Sequence, residues 1–468
     1  MNRLVAVACL LPLLGCQATA SRLRGLGPLE NDGEVYLYLE PYPRGSERLA
    51  FALESAAAVA SDGTAVPLEL SLAEVSATSA SWQRLLARGR LAPGPYRGFL
   101  LKVKRATLDT EGTVSDLLVP AEPVRVDASF AVVRRKAALL RVWFRPAESV
   151  SKGFAFTPAF SAGIGEAPLG DLVGYCSNTA WDNLTVFDKR ARRVVGVLPT
   201  GRGPAGLAID PLRRRAYVAL SGDDQVAILD VQSGEEIARI QLRPGDGPQE
   251  LGLTPDGKLL VVVNTRSGTA AFLDPQATME LSRVRTGDEP GSLLIDRSGR
   301  RAYVLNRRSA SLTVLDLANR AVVSTAGTDP EPLRARLDRA GTRLYLLAAG
   351  SSYLTVFSLP GLSVSKRVLV GLGASALEVD PRTDFVYVGG RDDDQLRVFE
   401  PASLLPMRRF ELPGPAALTA IDDANDALFS VVPSRRLVAA NDLVSGRSLG
   451  TMEVGEDPYQ VSLVGERR

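Results

Sequence analysis

Three observations lead to an all-β fold, with an N-terminal β-sandwich followed by a seven-bladed β-propeller closed by pairing of its N- and C-terminal strands. First, the chain restarts one pattern seven times, at Gly203-Pro204, Gly247-Pro248, Glu289-Pro290, Glu331-Pro332, Gly373-Ala374, Gly414-Pro415 and Asp457-Pro458, at intervals of 41 to 44 residues. That interval is the length of a four-stranded propeller blade and exceeds a leucine-rich or ankyrin unit. Second, the apolar residues inside the repeats alternate with period two, which marks strands and not helices. Third, the two ends of the repeat region are fragments of one unit. Residues 174–198 supply a second, third and fourth strand with no first, and residues 458–464 supply a first strand with nothing after it. Joined, they complete a ring and remove the open edges that an incomplete one would expose.

In chain order, the first element is a short basic start at Met1-Asn2-Arg3 and an apolar run from Leu4 to Leu14 that ends in Leu13-Leu14-Gly15-Cys16. Eleven apolar residues are too few to span a bilayer, so residues 1–15 are expected to be an export signal. The closing tetrapeptide resembles a bacterial lipobox, which implies a diacylglycerol on the Cys16 thiol. Gln17 after the cysteine, by the same resemblance, implies sorting to the outer membrane. Residues 16–32, small and polar with Gly25, Gly27 and Pro28, are read as a lipidated tether.

Residues 33–150 show alternating runs such as Val35-Tyr36-Leu37-Tyr38-Leu39 and Leu139-Leu140-Arg141-Val142-Trp143-Phe144, separated by turn signals. They are expected to form a β-sandwich of ordinary domain size. The segment Pro93-Gly94-Pro95-Tyr96 resembles the hairpin of transthyretin-like and immunoglobulin-like exported modules. Residues 151–173, with Gly153, Pro158, Gly163, Gly165, Pro168 and Gly170, are read as a linker, and residues 174–468 as the propeller.

Each blade is expected to begin with an apolar strand. It then turns at sequences such as Thr254-Pro255-Asp256-Gly257, whose residues supply hairpin dihedrals. A second strand follows, for example Tyr303-Val304-Leu305-Asn306, and then a third that ends in an acid at Asp188, Asp230, Asp274, Asp316 and Glu400. A fourth strand, such as residues 236–242, completes the blade. The Gly-Pro start, Pro-Asp-Gly turn, Tyr-Val-x-Asn strand and Val-x-Asp strand end resemble the YVTN-type seven-bladed propeller repeat. The repeat beginning at Gly414 departs from it, with Ala424-Asn425-Asp426 at the turn and Phe429-Ser430-Val431 in the strand, so a looser blade is expected there.

The chain contains no histidine among 468 residues, which excludes imidazole general bases, Ser-His-Asp triads and imidazole metal ligands. Once Cys9 leaves with the signal and Cys16 is lipidated, Cys176 is alone and reads as a buried small hydrophobe. A net charge of +2 with 23% charged residues gives no electrostatic case for nucleic acid. Asp392-Asp393-Asp394 reads as a solvated turn, because Asp223-Asp224 occupies the equivalent turn of an earlier blade and the glycine of a calcium loop is absent. Arg213, Arg214, Arg215, Arg300, Arg301 and Arg343 form a basic rim that Asp210, Asp296 and Asp338 are placed to neutralise.

The residues just after each Gly-Pro start should ring the mouth of the central channel, in loops. Unlike the frame around them they vary, and Gln249, Glu250, Arg334, Tyr459 and Gln460 are the candidate polar contacts. The resulting expectation is a non-catalytic, lipid-anchored binding or assembly scaffold without cofactor. Its partners would be the membrane through the anchor and other envelope proteins, or an envelope peptide or glycan. The alternative is a propeller enzyme of the lactonase or quinone-dependent dehydrogenase kind, activities that the propeller resemblance also covers.

Overall fold

The structure is a computed structural model that describes residues 29–110, 112–165 and 172–464. The expected export signal and the lipidation site Cys16 lie outside those residues. Among the described residues, seven four-stranded antiparallel sheets form the propeller. Blade 1 is composite: Val173–Asn178, Asn183–Asp188 and Arg193–Pro199 are joined by the C-terminal strand Pro458–Leu463 as the innermost member. Blades 2 to 7 follow in chain order. Their innermost strands are Pro204–Asp210, Pro248–Leu253, Pro290–Ile295, Pro332–Leu337, Ala374–Val379 and Leu418–Asp422.

The restarts have a conformational cause. Proline has no N–H to give a ladder and is tolerated as the first residue of a strand. The residue before the strand start, which is a proline in all of these but Ala374, is left-handed in six of the seven repeats, at φ 64° for Gly203, 59° for Gly247, 53° for Glu289, 57° for Glu331, 80° for Gly373 and 53° for Asp457. Glycine reaches that region at no steric cost, whereas the acidic residues carry some strain there. The second strands are packed on both faces by neighbouring blades, as in Leu260–Asn264, where every residue is buried. Blade 7 departs most from the repeat. Its innermost strand starts late, at Leu418, and a short 3-10 turn, Pro433–Arg435, follows its second strand, yet all four strands are present.

The ring closes through the register Gly174↔Leu463, Tyr175↔Ser462, Cys176↔Val461 and Asn178↔Pro458. Cys176 is fully buried in this ladder, and desolvation pushes its thiol pKa far up, so the group is held neutral. A buried ion pair fastens the same joint. Lys189 Nζ lies 2.9 Å from Asp422 Oδ2 with both side chains at 0% exposure, and donates to the Val464 carbonyl at 2.6 Å. One ammonium thereby ties the third strand of blade 1, the innermost strand of blade 7 and the C-terminal strand.

The N-terminal region, expected as a β-sandwich, is a curled sheet of ten hydrogen-bonded strands whose two halves are joined through Ala65–Leu70. Its order is Phe160–Ile164, Ala137–Phe144, Gly33–Leu39, Arg84–Leu91, Ala65–Leu70, Leu49–Ala60, Gly94–Thr110, Thr113–Leu117, with Glu74–Val75 and Val124–Val132 as side branches. The sheet curls around an aromatic core in which Phe51, Phe144, Phe156 and Phe160 approach one another at 5.0 to 6.4 Å. Tyr96, at the Pro-Gly-x-Tyr hairpin, stacks on Phe130 at 5.2 Å. The glycine-rich stretch read as a linker supplies the strand Phe160–Ile164, which pairs with Ala137–Phe144 and extends the sheet.

This sheet docks on blades 1 and 7. Tyr36, Tyr38, Leu85 and Leu139 share one core with Trp181, Phe187, Val194, Val197, Phe429 and Met452. Polar pairs align the contact. Val194 N donates to Gln83 Oε1 at 2.7 Å, Arg84 Nε to Glu453 Oε2 at 2.9 Å, and Asn183 Nδ2 to the Tyr36 hydroxyl at 2.9 Å. The Arg88 guanidinium lies 3.6 Å from the centre of the Trp181 ring.

Lys189→Met leaves Asp422 charged, buried and without its ammonium, a loss that typically costs roughly 3–5 kcal/mol. The melting temperature is expected to fall steeply. Lys189→Met with Asp422→Leu, which removes both charges, should recover most of it. A single variant as stable as the wild type, measured by calorimetry, would contradict the role given to the pair.

Candidate functional site

The innermost strands carry a polar cluster at the propeller axis. Glu250 lies in blade 3, two residues after Pro248, and Arg334 in blade 5, two residues after Pro332. Both therefore lie in strands, where sequence placed them in loops, because the strand begins at the proline itself. They sit at the same position of two repeats, and Arg334 Nη1 lies 3.7 Å from Glu250 Oε2 with both side chains about nine-tenths buried. The Arg334 guanidinium also stands 5.8 Å from the centre of the Tyr459 ring, which comes from the C-terminal strand in blade 1. Gly206, at the matching position of blade 2, permits the close approach. A Cβ there would meet the Glu250 Cα at 2.7 Å.

A second pair lies two residues farther along the strands. Arg336 Nε donates to Glu378 Oε1 at 3.0 Å, joining blades 5 and 6. Sequence reasoning missed this pair, although Arg336 and Glu378 stand at one position of consecutive repeats with opposite charge, a signal that could have found them. Gln460 has a different role from the one expected. Its Oε1 accepts from Leu207 N at 2.8 Å and its Nε2 donates to Leu207 O at 3.2 Å, stitching blade 1 to blade 2. Gln249 adjoins Tyr459, its side chain bonding to the phenol.

Burial sets the electrostatics. Desolvation raises the Glu250 pKa above the usual carboxylate value, while Arg334 and then Arg336 pull against the rise. Tyr459 is raised first by desolvation and then by the Glu250 charge, so its phenol stays protonated and able to donate. Arg334 Nε is buried with no hydrogen-bond partner. The axis thus offers a carboxylate with raised basicity, a guanidinium edge with an unused donor, and a phenol.

Two other sequence features are accounted for locally. Asp393 Oδ1 accepts from Gln395 N at 3.0 Å, an ordinary turn bond. Within the basic rim, Arg213 pairs with Asp210 at 2.8 Å, and the amides of Arg300 and Arg343 bond to Asp296 and Asp338.

A family model described as a lactonase with a 7-bladed β-propeller matches residues 188–290, which include Gln249 and Glu250. That match overturns the expectation of a non-catalytic scaffold and favours the enzyme alternative, because the stretch bearing the axial carboxylate is patterned like that of an enzyme family. No curated protein matches the chain. Solved structures of similar fold include the hydrazine synthase of Kuenenia stuttgartiensis, at 16% identity and a TM-score of 0.51, covering 62% of this chain and 94% of that one. The dihydro-heme d1 dehydrogenase NirN in complex with DHE is similar at 15% identity and 0.50, covering 64% and 76%. A functionally unknown protein from Desulfotomaculum acetoxidans is similar at 12% and 0.55, covering 63% and 99%. At these identities the likeness is one of fold.

Proposed function

We propose that the protein hydrolyses a lactone at the propeller axis, and that it does so at the bacterial cell envelope, held by lipid on Cys16. The observation that carries the catalytic reading is the meeting of Glu250, Arg334 and Tyr459, from three blades, beside the buried and unpartnered Arg334 Nε. The lactonase match over residues 188–290 supports it.

Hydrolysis of a cyclic ester needs a base to activate water and donors for the oxyanion. Glu250 fills the first role, since burial makes its carboxylate a stronger base than an exposed glutamate. Water attacks the acyl carbon and its proton passes to Glu250, while the carbonyl electron pair moves onto oxygen. That oxyanion faces the Arg334 Nε–H and the Tyr459 hydroxyl. Collapse re-forms the carbonyl and breaks the ring C–O bond. The proton on Glu250 then passes to the departing alkoxide, and the product is an open hydroxy acid. Arg336, paired with Glu378, adds positive charge that limits how far the Glu250 pKa rises.

Proton release from a panel of five- and six-membered lactones is the direct assay. Glu250→Gln should lower kcat by about 10²–10⁴-fold, the usual worth of a general base. Arg334→Gln should cost about 10²–10³-fold as an oxyanion donor. The base works only when ionised. With its pKa raised, kcat/KM should fall as pH drops through a value above the ordinary glutamate range, and Arg336→Gln should move that limb higher still. Absence of turnover across the panel, or full activity in Glu250→Gln, would overturn the reading.

Anchoring rests on Leu13-Leu14-Gly15-Cys16 after a short apolar run. Multiple acyl chains make a stable attachment, where one alone is marginal. Cys16→Ser is expected to shift the protein from the membrane fraction to the soluble fraction or to block its maturation. Unchanged membrane attachment would refute the anchor.

A further inference from the structure

The outer strands of the blades are the propeller's natural edges, and an edge strand is a template for pairing unless it is guarded. Blade 1's outer strand is covered, since Val194 and Val197 pack into the N-terminal sheet, and blade 7's outer strand ends in Met452 and Glu453, both buried. Four others carry charge or proline: Glu236 and Arg239 in blade 2, Glu280, Arg283 and Arg285 in blade 3, Lys366 and Arg367 in blade 5, Pro406, Arg408 and Arg409 in blade 6. Blade 4 is different. Its outer strand, Ala321–Gly327, reads AVVSTAG, with no charge and no proline, and six of its seven residues are exposed. Val322 is 42% and Val323 51% exposed. Its inner side pairs with Ser311–Asp316, so its outer backbone groups have no strand partner among the described residues.

We propose that this edge is a self-association surface, on which two copies of the chain pair antiparallel through Ala321–Gly327. A two-fold axis through Ser324 sets Val323 opposite Thr325, Val322 opposite Ala326 and Ala321 opposite Gly327. Every cross-strand pair is then small or β-branched, the combination that stabilises antiparallel neighbours. Charge selects a second copy as the occupant. The Arg408-Arg409 edge paired with itself would crowd like charges, and any guarded edge laid on Ala321–Gly327 would desolvate its own charges against a strand that offers none in return. Met279 and Leu281 in the outer strand of blade 3 and Val364 in that of blade 5 are exposed as well. Seven residues span roughly 23 Å, a small contact beside the ~1,600 Å² of a standard interface, so the dimer is weak and concentration-dependent.

Sedimentation velocity of the detergent-solubilised full chain over a concentration series tests this. Wild type should shift toward dimer as concentration rises. Val323→Lys, which sets a charge at the edge, should stay monomeric with an unchanged melting temperature. Ser324 opposes itself, at a Cα separation of ~4.5–5.5 Å that a disulfide can bridge. Ser324→Cys should therefore give a covalent dimer under mild oxidation, while Ser365→Cys on the guarded edge of blade 5 should not. A monomer at every concentration, a dimer indifferent to Val323→Lys, equal cross-linking of both cysteine variants, or association only with a different protein would each overturn the proposal.

Discussion

Closure of the ring is the constraint on which the remaining structure depends, and the Lys189–Asp422 pair with the Val464 carbonyl is its most local expression. The axial cluster is a property of the closed ring. Glu250 belongs to blade 3, Arg334 to blade 5, and Tyr459 to a strand that enters blade 1 from the far end of the chain. None of these is brought to another by local sequence. The side chains meet because the C-terminal strand completes the first blade and fixes every other blade at its distance from the axis. A buried ion pair is weak evidence for stability, yet it specifies geometry when its loss leaves a charge stranded. Here it specifies which two blades are neighbours.

The N-terminal sheet acts on the same joint. Its apolar face rests against blades 1 and 7, and Lys136 Nζ adds an ion pair to Glu235 of blade 2 at 2.7 Å. The tyrosines of Gly33–Leu39 and the Arg88–Trp181 contact cover the composite blade, where the two ends of the repeat region meet. A composite blade is the weak point of a closed repeat array, because its strands are joined by hydrogen bonds and packing with no connecting chain. Covering its outer strand removes one exposed edge and adds apolar burial at the place where the array is least cooperative.

The repeats were legible in sequence because blade geometry imposes a similar turn and a buried second strand on each blade, and a left-handed residue at six of the seven restarts. That the two ends share one blade was legible for the same reason, since the fragments at Gly174 and Pro458 are complementary parts of one unit. What stayed hidden depends on contacts between distant residues. Lys189 and Asp422 look like ordinary turn residues until the ring brings them together. The strands of the N-terminal region could be recognised from alternation, but alternation does not name partners, so the strand Phe160–Ile164 that extends the sheet was read as part of a linker. At the axis, variation among equivalent positions singled out Glu250, Arg334 and Tyr459, which meet, and Gln460, which serves the frame. The absence of histidine weighed too heavily toward a non-catalytic scaffold. A buried carboxylate can act as a base without imidazole once desolvation raises its pKa, and burial is not visible in sequence.

The central claim is that reaction occurs at the axis, between Glu250 and Arg334. A crystal structure of the protein with a lactam, the amide counterpart of a cyclic ester, tests it most directly. The account predicts the ring bound at the axial cluster, with its carbonyl oxygen within hydrogen-bond distance of Arg334 Nε or the Tyr459 hydroxyl and Glu250 beside the acyl carbon. A lactam bound elsewhere on the chain, with the axial side chains undisturbed, would contradict it.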